Sequence, residues 1–216
     1  MRHSLRLLAG TGAVVAALAA TAGPAQASPA PAVLSTGHVD AIDVAFEDGA
    51  LELAIHDGTT DTEFAPADAV LLVKPAAKTA VPDDPAYAFL GPAGAPVWVL
   101  PQVQNPDLLY AGLSAAEVEP GVLAADTVRI NLLAVRGPGD IAVFTQDAVG
   151  TPAVLADDTD GLPDTLTLQA GQHEHANWAF DRAGTYRLTV TASAELAATG
   201  ETVTSDPAVF TFTVRR

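Results

Sequence analysis

Cysteine is absent from this 216-residue chain, so its fold cannot rely on disulfides and it has no thiol nucleophile. Basic side chains are scarce as well, with 10 Lys and Arg against 26 Asp and Glu. Such a charge balance repels nucleic acid and anionic lipid and favours cations and solubility. A helical period is missing too: no window longer than about ten residues repeats its apolar positions every three to four. There is no Gly-x-Ser-x-Gly elbow, and Gly91-Pro92-Ala93-Gly94 and Gly137-Pro138-Gly139 are proline-containing turns rather than phosphate loops. These absences argue against an enzyme.

What is present begins with an export signal. Arg2 and Arg6 form a positive start, Leu7 to Ala20 is apolar, and Ala25-Gln26-Ala27 is a small-residue cleavage site. The sequence therefore predicts a signal peptide over residues 1–27, a mature start at Ser28 and a secreted, extracellular or cell-envelope location. No Arg-Arg pair opens the chain, which favours the general secretion route. Loss of Arg2 and Arg6 leaves 8 basic against 26 acidic residues, a net charge of −18. No lipid-modifiable cysteine, apolar tail or wall-sorting signal is seen, so the expectation is a released or partner-held protein.

Residues 28–33 read as a Pro/Ala leader unable to hold a ladder, followed by one domain over 34–216. Its pattern is that of strands. Ala41 to Phe46, the turn Glu47-Asp48-Gly49, and Leu51, Leu53 and Ile55 alternating with Glu52, Ala54 and His56 predict a hairpin. Further strands are expected at Ala69–Val73, Val97–Leu100, Thr127–Val135, Ile141–Thr145, Thr165–Gln169, His175–Phe180, Tyr186–Ala192 and Val209–Val214. A single helical turn is expected at Ser114 to Val118, where Ser114 and Glu117 imitate a capping box. The fold class that follows is all-β: an antiparallel β-sandwich of two packed sheets, immunoglobulin-like at its C-terminal end, with long inserted loops. The Pro-rich stretch Val81 to Pro106 is read as such a loop, because Tyr87, Phe89 and Trp98 are residues a linker does not need.

Of five histidines, His3 lies in the signal, leaving His38, His56, His173 and His175. In His173-Glu174-His175 the two imidazoles share one strand face with Asn177, while Ala176, Trp178 and Phe180 face the other way, as does Glu174. Two imidazoles so placed can converge on one ion, and His38 and His56, on the arms of the first hairpin, are the available further donors. Imidazole suits zinc, and also copper or nickel. Strict alternation would put His38 on the core side with Ile42, Val44 and Phe46; a bulge, or a strand starting after His38, is needed to turn it outward. A second cation candidate is the acidic run Asp157 to Asp164, but it lacks the terminal bidentate Glu of a calcium loop and reads more readily as a solvated turn.

The run Val97 to Pro106, the turn Gly137-Pro138-Gly139-Asp140, and above all Gly171-Gln172-His173-Glu174-His175-Ala176-Asn177-Trp178-Ala179-Phe180 with Gly184-Thr185-Tyr186-Arg187-Leu188 resemble the surface-anchored repeat domain of actinobacteria. Those proteins are also described as choice-of-anchor M or ABC-transporter-associated repeat proteins. The resemblance covers nearly all of 34–214. It implies a cell-envelope protein of a Gram-positive bacterium that catches or passes on a metal such as zinc, with His38, His56, His173 and His175 as ligands and a metal ABC transporter component or envelope protein as partner. The missing C-terminal anchor departs from the family pattern. The rival expectation is a structural or adhesive surface sandwich without metal, in which Trp98, Tyr110 and Trp178 would serve a carbohydrate.

Overall fold

The computed structural model describes residues 30–216; the expected signal peptide and the first two leader residues lie outside that range. Among the described residues seventeen strands follow one another, joined by turns and four short 3-10 segments. The first six are β1 (Ala32–Leu34), β2 (Gly37–Glu47), β3 (Ala50–Asp57), β4 (Thr62–Phe64), β5 (Ala69–Val73) and β6 (Lys78–Ala80). Next come β7 (Pro96–Leu100), β8 (Leu109–Ser114), β9 (Thr127–Arg136), β10 (Ile141–Gln146), β11 (Pro152–Asp157) and β12 (Asp164–Gln169). The last are β13 (His173–His175), β14 (Asn177–Phe180), β15 (Gly184–Glu195), β16 (Thr202–Thr204) and β17 (Ala208–Val214). Among the described residues, no helix is long and apolar enough to cross a membrane.

Three sheets form, rather than the expected two. A seven-stranded sheet runs β1-β5-β17-β15-β9-β12 with β16 added to β15; a second runs β11-β10-β14-β7-β6 and a third β13-β8-β2-β3-β4. Most pairings are antiparallel, but β1 with β5, β5 with β17 and β2 with β8 are parallel. The result is sandwich-like: Ile130, Leu132, Leu188, Val190 and Phe212 of the large sheet share one core with Trp178 and Phe180 of the second and Ile42 and Leu113 of the third. Trp178 stacks on Phe212 with ring centroids 5.2 Å apart. Burying that much aromatic and aliphatic surface, at roughly 25 cal/mol per Å², lets a cysteine-free chain of this length hold together.

The first hairpin forms as its sequence requires. Glu47 pairs with Ala50, and both turn residues, Asp48 and Gly49, have positive φ, the two-residue turn whose twist matches that of the strands. The leader departs from expectation, since Ala32 and Val33 pair with Ala69 and Val70. Ser114 to Val118 forms one tight turn rather than a turn of helix: Val118 N–H donates to Ala115 O at 3.1 Å and Ser114 Oγ accepts from Ala116 N–H. Ser114 itself ends a strand, which pulls the cap away from helical geometry. The stretch 81–106 belongs to the fold. Val81, Tyr87, Leu90 and Val97 build a small second core with Ala142, Phe144 and Ala179.

The strand expected over His175–Phe180 breaks at Ala176. Upstream, β13 pairs with β8 in the third sheet; downstream, β14 pairs with β10 and β7 in the second. Asn177 consequently does not continue the imidazole row. It is buried, accepts from Gln102 N–H at 3.0 Å, and donates to Gln102 Oε1 at 2.9 Å. Two buried polar ends are thereby satisfied at the crossing between sheets.

Candidate metal centre

The outward face of the third sheet gathers the chemistry. Register places His38 opposite Tyr110, Asp40 opposite Gly112 on one side and His56 on the other, His175 opposite Gly112 and His173 opposite Ser114. Paired residues share a sheet face, so all of these point away from the core. A bulge makes this compatible with an apolar β2. Between the pairs Asp40 with His56 and Asp43 with Ala54, both Ala41 and Ile42 oppose the single residue Ile55. Ahead of the bulge His38 and Asp40 face outward; past it Ile42 and Val44 face the core, where both are buried.

His38 and His173 lie on β2 and β13, with β8 between them, and glycine permits the rings to meet across that gap. A Cβ on Gly112 would stand 3.2 Å from the His175 ring, and one on Gly58 would stand 2.1 Å from His38 Nδ1. Tyr110 supports the cluster from the side, its ring parallel to His175 within 12° and 3.3 Å between centroids.

The three Nε2 atoms point inward upon one another. His173 Nε2 lies 3.1 Å from His38 Nε2 and 2.9 Å from His175 Nε2. Hydrogen bonding alone does not explain this arrangement, because a ring nitrogen carries one proton or one lone pair and His173 Nε2 has two close partners. A cation does. Nitrogen donors about 2.0–2.1 Å from a tetrahedral zinc stand roughly 3.3 Å apart, close to the separations seen. Among the described residues, His38, His173 and His175 are the group whose donor atoms can hold a metal ion.

Asp40 orders the cluster from beneath. Its side chain is almost wholly buried, with Oδ1 2.9 Å from His173 Nδ1 and 3.7 Å from His38 Nε2, and Oδ2 3.2 Å from His56 Nδ1. A carboxylate this close to Nδ1 favours a proton on that nitrogen and a lone pair at Nε2, the arrangement that metal-ligating histidines use, although Oδ1 itself is buried without a hydrogen-bond partner. Burial lowers His38 and takes His175 down to about 4 from 6.5, which favours the neutral rings that ligation requires. His175 Nδ1 is buried without a hydrogen-bond partner.

His56, expected as a fourth ligand, stands outside the group. Its Nδ1 faces Asp40 and its Nε2 lies 3.2 Å from Asp61 Oδ1. Burial pulls this ring down, but the bonds to the two carboxylates outweigh it and hold His56 above the ordinary value. A chain of alternating imidazole and carboxylate thus runs from His173 through Asp40 and His56 to the fully exposed Asp61.

The acidic run 157–164 gathers no comparable group. Asp157 Oδ1 accepts from Thr159 N–H and Asp158 Oδ1 from Ile141 N–H, while Asp164 Oδ2 accepts from Asp157 N–H. Its carboxylates hold the backbone of the turn. Trp98 and Trp178 are buried, so neither indole offers a face to a sugar. Comparison with protein-family profiles, curated proteins and solved structures finds no match to this chain.

Proposed function

We propose that this chain is a secreted cell-envelope module that binds one divalent transition metal ion, zinc foremost, and buffers it or passes it to an uptake system rather than turning over a substrate. His38, His173 and His175 are its ligands and Asp40 the carboxylate that orients them. The observation that carries this reading is the convergence of the His38 and His175 Nε2 atoms on that of His173, at 3.1 and 2.9 Å. Supporting it are the acidic surface, which concentrates cations, the export signal, and the resemblance of the Gly171–Phe180 segment to actinobacterial proteins associated with ABC transporters.

The immunoglobulin-like form of the sandwich belongs to the same reading. Tyr186, just inside β15, donates its hydroxyl to Arg182 O at 2.9 Å, the backward bond of a tyrosine corner.

Metal analysis of the mature, untagged protein beside a His173→Ala/His175→Ala variant, followed by thermal melts with and without chelator, is the test. One equivalent of zinc or another transition metal in the parent, lost in the variant together with several degrees of stability, is the expected result. A parent without metal, indifferent to added ions, leaves a structural or adhesive surface domain.

A further inference from the structure

We infer that an ion at this centre keeps one coordination position for a donor the chain does not supply, filled by water or hydroxide and open to small anions that compete for it. This rests on the metal-binding reading and says what kind of site it is. Three side chains converge, and among the described residues no further His, Asp or Glu joins them. Neighbouring carboxylates are committed elsewhere, Asp57 accepting from Thr59 N–H and the Thr60 hydroxyl. Asp40 is turned to the Nδ1 atoms of His173 and His56, and Glu174 reaches the Gln172 amide at 3.5 Å. Tyr110 lies flat against His175. Yet zinc takes four donors, and a site closed by protein alone would supply all of them.

The open side faces water. The side chains of His38 and His173 retain 33% and 31% of their exposure, while His175 is packed in from behind with its Nδ1 sealed off. One wall of the site is therefore closed and the other accessible. An incoming ligand can bind such an ion before any histidine lets go, which is what transfer to an acceptor requires. A purely structural site would bury its ion on every side.

Cobalt(II) tests this, because its visible bands report coordination directly. The metal-free protein is titrated with cobalt(II) alone, and the 1:1 complex is then titrated with sodium azide; the His173→Ala/His175→Ala variant serves as a control for adventitious binding. Expected are visible bands that saturate at one equivalent, are missing in the variant, and change saturably as azide replaces the solvent ligand. A 1:1 complex whose spectrum ignores azide overturns the open position while leaving the metal site standing. Failure to bind cobalt(II) or zinc(II) stoichiometrically overturns both.

Discussion

His173 Nδ1 lies 2.9 Å from Asp40 Oδ1 across two strands that are not neighbours in their sheet. Asp40 is buried, so its charge acts on the ring through little water. Replacing it with a neutral isostere removes the charge that favours a proton on His173 Nδ1. Asp40→Asn is expected to weaken zinc binding about 10- to 100-fold, the usual consequence of losing such a carboxylate, while one equivalent still binds at high metal. Competition against a chromophoric chelator measures this; an unchanged affinity would remove Asp40 from the site.

His56 separates an orienting role from a ligating one. His56→Gln should retain one equivalent of zinc with a smaller loss of affinity than Asp40→Asn, whereas His173→Ala should abolish specific binding. Calorimetric titration of the three variants ranks them. A stoichiometry below one in His56→Gln would make that ring a ligand after all.

The same rings make the metal-free protein sensitive to acid. His175 has its folded value depressed to about 4 from 6.5 by burial, so the unfolded chain binds the proton that the folded chain refuses. Stability is then full above 6.5 and is lost as pH falls towards 4, with about one proton taken up on unfolding. His56 works in the opposite sense: its raised value gives a contribution present below 6.5 and lost as pH rises through the folded value. Urea midpoints from pH 8 to 4 should show a shallower acid limb in His175→Gln and a shallower alkaline limb in His56→Gln than in the parent.

Much of this architecture was legible because local signals agreed with the final register. The first hairpin, the strands near Ala69, Thr127, Ile141 and Tyr186, and the outward row of His173 and His175 follow from alternation and turn chemistry alone. The strand Leu109–Ser114 was not among those expected: its Ala and Gly residues carry little β propensity, and its place between β2 and β13 is set by tertiary pairing. Missing it hid Gly112 and Tyr110. Asp40 could have been found, since His38 and Asp40 share a face at i and i+2; His56 was assigned as a ligand because spacing shows which face a ring takes but not how far it reaches. The change of sheet at Ala176 is invisible to periodicity, which continues smoothly through a break of one residue.

Gly58 offers a test of ring placement. A methyl group there would meet His38 Nδ1 at 2.1 Å, so Gly58→Ala must push the imidazole away from its partners. The expected variant folds with a nearly unchanged melting temperature when metal-free, yet binds zinc at least tenfold more weakly, read by the same chelator competition. A comparable loss of metal-free stability would instead mean that Gly58 serves the turn.

His38 and His173 stand 135 positions apart in the chain. An ion gripping both would act as a staple, closing a loop as a disulfide would. Chain-entropy arguments put cross-links over loops of that order at about 4–5 kcal/mol, against total stabilities of about 5–15 kcal/mol for ordinary domains. Resistance to proteolysis would then follow the metal supply, with the starved form the first to be degraded.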